Sequence, residues 1–89
     1  MTTMSHNLKS CLDLIRIATV KKKTALSNGS IYLHVKQGLL PDSIRIGEKA
    51  VAWVEGEIDA VVKARIAGKS DAEIRELVAK LMADRAALV

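Results

Sequence analysis

Phenylalanine is absent from this chain, and Tyr32 and Trp53 are its only aromatic residues. About half of the 89 residues are apolar, so the core has to be assembled from Leu, Ile, Val and Ala, with Trp53 as its one large piece. Cysteine occurs once, as Cys11. No intrachain disulfide can form, and a thiolate-only metal site is excluded. Cys11 reads as a small, half-buried hydrophobe near the start of the fold. No apolar run approaches the roughly 20 residues that span a bilayer. Met1 to Ser10 is polar and lacks the hydrophobic stretch of a secretory leader. A cytoplasmic protein with no membrane partner is expected. The marks of enzyme chemistry are missing as well. There is no Gly-rich phosphate cradle, no nucleophile with a histidine at a motif spacing, and no metal-ligand cluster. Neither a cofactor, a metal nor a small-molecule substrate is expected. His6 sits in the polar tail, and His34 reads as a polar face residue.

What the chain does have is an uneven charge. The formal net charge is +4. Residues 1–49 hold eight basic and three acidic side chains, net +5, while residues 50–89 hold six and seven, net −1. The whole positive excess lies in the first half. A polyanion is the natural partner for such a half, because each lysine or arginine set on a phosphate releases condensed counterions. The length suits a single small domain that buries about 60–65% of its unfolded surface, leaving a thin stability margin.

Local patterns divide the chain. Residues 1–11 read as a flexible tail. Leu12 to Ile17 alternates as a short strand. Thr19 to Thr24 reads as a short helix with Val20 and Thr24 one turn apart and Lys21, Lys22 and Lys23 facing outward. Ser27 is an N-cap for a second helix, Asn28 to Gln37, whose Ile31 and Val35 face the core at i and i+4. Gly38 supplies the left-handed residue that ends it, and Pro41 prevents its resumption. Only Ala25-Leu26-Ser27 separates the two helices, and helices joined so tightly cross at a large angle, as in a helix-turn-helix. Ser43 to Trp53 then reads as a β-hairpin with Gly47-Glu48-Lys49 at its tip. Glu55 to Ile66 predicts a third helix, its N-terminal acids Glu55, Glu57 and Asp59 matched to the helix dipole, its buried stripe Ile58, Val61 and Val62. Ala67-Gly68-Lys69 ends it. Ser70-Asp71-Ala72-Glu73 is a capping box for a fourth helix running to Leu88, with an apolar stripe of Ile74, Leu77, Val78, Leu81, Met82 and Leu88. That stripe either folds back over the third helix or forms a homodimer seam. The expected fold class is mainly α with a small β-hairpin wing, a DNA-binding domain over 12–67 and an amphipathic C-terminal helix over 70–88.

Ser27 to Tyr32, Gly38, Pro41, Gly47-Glu48-Lys49-Ala50-Val51-Ala52-Trp53 and Glu57-Ile58-Asp59-Ala60 follow one another at the spacing of a known family. Over roughly Leu14 to Arg65 the chain resembles the AlpA family of small prophage regulators, relatives of excisionases and of MerR-type DNA-binding domains. The resemblance implies a winged helix-turn-helix, sequence-specific binding of double-stranded DNA, and a role in transcription or prophage excision. The recognition helix of that family follows a Ser-Arg-Ser-Thr-Ile-Tyr-Arg pattern. Ser27, Ser30, Ile31 and Tyr32 match it, whereas the two arginine positions are Asn28 and Leu33, and the glycine of the turn is Ala25.

The candidate DNA-contacting residues follow. Asn28 and Ser30 are placed to reach base edges, asparagine pairing bidentately with adenine. Ser27 and Tyr32 sit beside them, with Tyr32 on a phosphate and Lys36 further along. Lys21, Lys22 and Lys23 grip the backbone, as do Arg45 and Lys49 from the wing. Leu33 either touches a thymine methyl or packs inward, the second being preferred. Trp53 is assigned to the core. Three readings stay open: a transcriptional regulator, an excisionase-like factor that bends DNA, and a protein–protein adaptor on a helix-turn-helix scaffold.

Overall fold

The computed structural model describes residues 12–88. The expected tail, with Cys11 and His6, lies outside the described residues. The chain runs β1 (Leu14–Ile15), α1 (Ile17–Thr24), α2 (Asn28–Lys36), β2 (Ile44–Arg45), β3 (Val51–Val54), α3 (Glu55–Ile66), α4 (Asp71–Asp84) and a 3₁₀ turn (Arg85–Leu88). The architecture is mainly helical, with a small antiparallel sheet and an extra C-terminal helix.

The sheet has three strands in the order β1-β3-β2. β2 and β3 form the expected hairpin, with Ile44 opposite Ala52 and Arg45 opposite Val51, closed by the Ile46 N–H donating to the Ala50 carbonyl at 2.9 Å. Its strands are shorter than the alternation implied, and Ile46 lies exposed at the tip. The first strand is also shorter than Leu12 to Ile17, and it is the third member of the sheet: Leu14 pairs with Val54 and Ile15 with Trp53. Ile17, read as the end of that strand, is instead the first residue of α1. Leu14, Ile15 and Ile17 fit either period, and pairing with a distant strand decides between them.

Helix ends follow local chemistry. The Ser30 N–H donates to Ser27 Oγ at 3.2 Å, capping α2. Gly38, at φ +78°, and Gly68, at φ +82°, take the left-handed conformation that closes α2 and α3. The capping box of α4 is formed in both directions: the Ser70 N–H donates to Glu73 Oε1 at 2.9 Å and the Glu73 N–H to Ser70 Oγ at 3.2 Å. These bonds from Ser70, its backbone N–H first, hold the Glu73 carboxyl below the usual carboxylate range.

The turn between α1 and α2 contains the one residue other than glycine with positive φ among the described residues, Ala25 at φ +62°. A Cβ in that conformation crowds the following carbonyl and costs about 1–2 kcal/mol. Ala25→Gly is expected to raise stability by about 1 kcal/mol after the glycine's extra unfolded-state entropy is subtracted. The melting midpoint should rise by roughly 4–8 °C for a domain of this size. An unchanged midpoint in a calorimetric scan would show that the turn bears no strain.

The core joins all layers. Val20, Ile31, Trp53, Ile58 and Ile74 are fully buried and come from α1, α2, β3, α3 and α4 in turn. The C-terminal stripe therefore turns inward. Ile74 and Val78 are buried in the chain's own core, and Leu77, Leu81 and Met82 pack against it. Of the two places open to this stripe, the structure shows the fold-back for Ile74 and Val78. Leu88, the last of the expected stripe, is exposed because the helix gives way to a 3₁₀ turn after Asp84. No helix of the described residues is long and apolar enough to cross a membrane.

Candidate nucleic-acid interface

From residue 14 to residue 41 the chain carries Arg16, Lys21, Lys22, Lys23 and Lys36 and no carboxylate. This stretch is the helix-turn-helix itself. Neither α1 nor α2 has an acidic residue in its first turn, and both end in basic ones. Cations at a helix C-terminus are stabilised by the dipole, which offsets part of their mutual repulsion. Lys21, Lys22 and Lys36 are exposed, as are Arg45 and Lys49 on the hairpin, where Glu48 lies between them.

Lys23 departs from the expectation that all three lysines project outward. Its Nζ lies 2.9 Å from Asp59 Oδ1 and 3.1 Å from Glu55 Oε2, and its pKa is raised above the ordinary lysine value by hydrogen bonds to Asp59 first and Glu55 second. The side chain belongs to the frame, tying the end of α1 to the beginning of α3. The acids of α3 are accordingly more than helix-end dressing. Glu55 and Asp59 hold Lys23, and Glu57, buried, holds Arg85. No local sequence signal marks these pairs, whose partners are far apart in the chain.

On α2 the predicted readers divide in the same way. Ser27 and Ser30 are occupied with each other: besides the backbone cap, the Ser27 hydroxyl donates to Ser30 Oγ at 3.1 Å. The Ser30 proton is left to point elsewhere, while Ser27 is committed to the helix end. Asn28 is exposed at the first helical position. Tyr32 is half exposed, with its ring tilted 55° against the buried Trp53 at a centroid distance of 6.2 Å, so the core tryptophan sets the direction of the tyrosine. Aromatic pairs favour such tilted arrangements. Leu33 is not packed inward as preferred from the sequence; it is 51% exposed. His34 is half-buried.

The helix is held from behind by α4. The Arg75 Nε donates to the Gln37 carbonyl at 2.9 Å, satisfying one of the free carbonyls at the C-terminal end of α2 and placing a cation at the negative pole of the helix. Arg75 stands on a helix that the sequence alone left free to leave the domain.

The chain matches the family described as prophage CP4-57 regulatory protein (AlpA) over residues 13–66, more than half of its length. The chain belongs to the AlpA family. It is also 34% identical over 55 residues to the uncharacterized protein ORF88 of Enterobacteria phage P4, the match covering 62% of each chain. The chain thus spans less than two thirds of that relative. No solved structure matches it. The AlpA-family segment ends at Ile66, the last residue of α3. It takes in β1, the helix-turn-helix, the hairpin and α3, and leaves α4 outside. AlpA-family proteins are regulators, and no group of histidine, cysteine and carboxylate side chains among the described residues is arranged to hold a metal ion.

Proposed function

We propose that this AlpA-family protein is a sequence-specific DNA-binding regulator that lays α2 in the major groove and sets the β2–β3 hairpin beside it. The observation that carries this reading is the carboxylate-free stretch from residue 14 to residue 41, with Lys21, Lys22 and Lys36 exposed along it and the frame lysine, Lys23, already neutralised. Cations held exposed without acidic neighbours in the same segment repel one another unless a polyanion covers them. Arg45 and Lys49 extend the cationic surface along the wing. Asn28 stands at the start of the groove-facing helix, within reach of base edges, and Tyr32 at its middle, within reach of the backbone.

Fluorescence anisotropy on duplex DNA across a salt series tests it. The observed affinity is expected to fall steeply with salt, log K against log[salt] having a slope of about −0.9 for each phosphate contacted. Lys21→Ala with Lys22→Ala should weaken binding to all duplexes alike and flatten the slope by about 2, one for each lost phosphate contact. Lys23→Ala is expected to act differently: it lowers the unfolding midpoint, and on protein that remains folded it leaves the slope nearly unchanged. Absence of binding even at low salt would favour the adaptor reading, in which the scaffold holds a protein partner.

A further inference from the structure

Within the DNA-binding reading, on which this step rests, we infer that Leu33 recognises thymine through its C5-methyl group, so that the preferred site places an A·T pair beneath this residue. Successive residues of an α-helix are turned by about 100°. In α2 the core side is marked by Ile31, fully buried, and Val35, half-buried. The direction opposite the midpoint of those two belongs to Leu33. The residue that leads α2 outward is therefore neither of the polar readers at its start but a leucine, 51% exposed.

A single exposed leucine is ordinary on a protein surface. This one has a particular setting. One turn earlier the helix carries Gly29, which offers no side chain; a Cβ there would find nothing within 4 Å. Glycine is the poorest helix former after proline, so space alone does not account for it. Together Gly29 and Leu33 give α2 an outward strip that is low at one end and apolar at the other, with exposed Lys36 beyond. A helix entering the major groove leads with this strip, and Gly29 lets it come close.

The floor of the major groove is built of hydrogen-bond donors and acceptors, with one apolar feature, the methyl group of thymine. A leucine above a G·C pair strips water from O6, N7 or N4 and returns no hydrogen bond, which is costly. Above a thymine it covers a methyl group instead. The side chain thus selects by attraction to one base and by desolvation of the others.

The test begins with duplexes selected by the native chain from a random pool. Each thymine of the recovered site is then replaced singly by deoxyuridine, which keeps every hydrogen-bonding group and lacks only the methyl. At one thymine per bound copy, the replacement is expected to weaken binding about fourfold, the worth of roughly one buried methyl-sized group. Leu33→Ala, checked by circular dichroism to keep its helix content, should bind the thymine and deoxyuridine duplexes equally at that position. It should keep the native salt slope. Native protein that binds with steep salt dependence yet treats thymine and deoxyuridine alike everywhere overturns the inference and leaves the DNA-binding reading standing. So does a Leu33→Ala variant that still prefers thymine at the same position, since another residue would then read the methyl. A chain that binds no duplex at low salt overturns both.

Discussion

A chain ending at Lys69 is expected to lose its cooperative unfolding transition and its helix-turn-helix together. Such a truncation is inviting, because the family match stops at Ile66 and the capping box at Ser70 looks like the start of a separate element. The packing says otherwise. Ile74 is fully buried and Val78 nearly so, and each contributes about 1.5–3 kcal/mol by burial. Leu77, Leu81 and Met82 add partly buried area. The truncation also bares the face of α3 that packs against α4, and removes the Arg75 hydrogen bond from the end of α2. The sum, roughly 6 kcal/mol or more before the ordering entropy of α4 is subtracted, is comparable with the whole stability of a small domain, about 5–15 kcal/mol and here at the thin end. Urea unfolding followed by circular dichroism reads the outcome. A truncated chain with a sharp transition at the midpoint of the full chain would show that α4 is an appendage after all. The functional consequence is testable in the same samples: without α4, affinity for duplex DNA should fall with the loss of folded protein.

How much of this was legible beforehand divides along sequence distance. The helix ends at Ser27, Gly38, Gly68 and Ser70 were readable because each is decided within a few residues, by a hydroxyl three positions before an N–H or by a glycine free to take positive φ. The hairpin was readable from two short alternating runs around Gly47. The pairing of Leu14 with Val54 was not, since a two-residue strand has no period of its own and acquires its identity from its partner. The lysine run shows the limit most plainly. Lys21, Lys22 and Lys23 are equivalent as letters, and only the position of α3 makes the third a frame residue. Leu33 is a related case. With Ile31 and Val35 as the core side, its place opposite them follows from the helical period alone, whereas its apolar character taken by itself points to the core.

Removal of the Arg85 side chain is the second change expected to be severe, and its physics is that of a buried charge left alone. Glu57 is only 8% exposed. Arg85 meets it with two bonds, Nε to Oε2 at 2.9 Å and Nη2 to Oε1 at 2.6 Å, and the same Nη2 donates to the Asp42 carbonyl at 2.7 Å. The hydrogen bonds to Glu57 are the main reason the Arg85 pKa is raised. One guanidinium therefore ties the 3₁₀ turn after α4 to the first turn of α3 and to the loop that leads into β2. A paired buried charge is weak evidence of net stabilisation, because desolvation offsets much of the attraction, but breaking the pair from one side typically costs about 3–5 kcal/mol. Arg85→Ala is expected near the lower end, about 3 kcal/mol, since part of the arginine remains in contact with water. Glu57→Leu combined with Arg85→Met should recover most of the loss, as apolar replacement of a whole pair is often neutral. Urea midpoints of the native chain, Glu57→Leu, Arg85→Met and the double variant supply the cycle, with Arg85→Ala measured beside them. If Arg85→Ala unfolds at the native midpoint, Glu57 does not depend on its partner. If the double variant is no more stable than Arg85→Ala, the anchoring of the Asp42 carbonyl, and with it the base of the wing, is what the arginine provides.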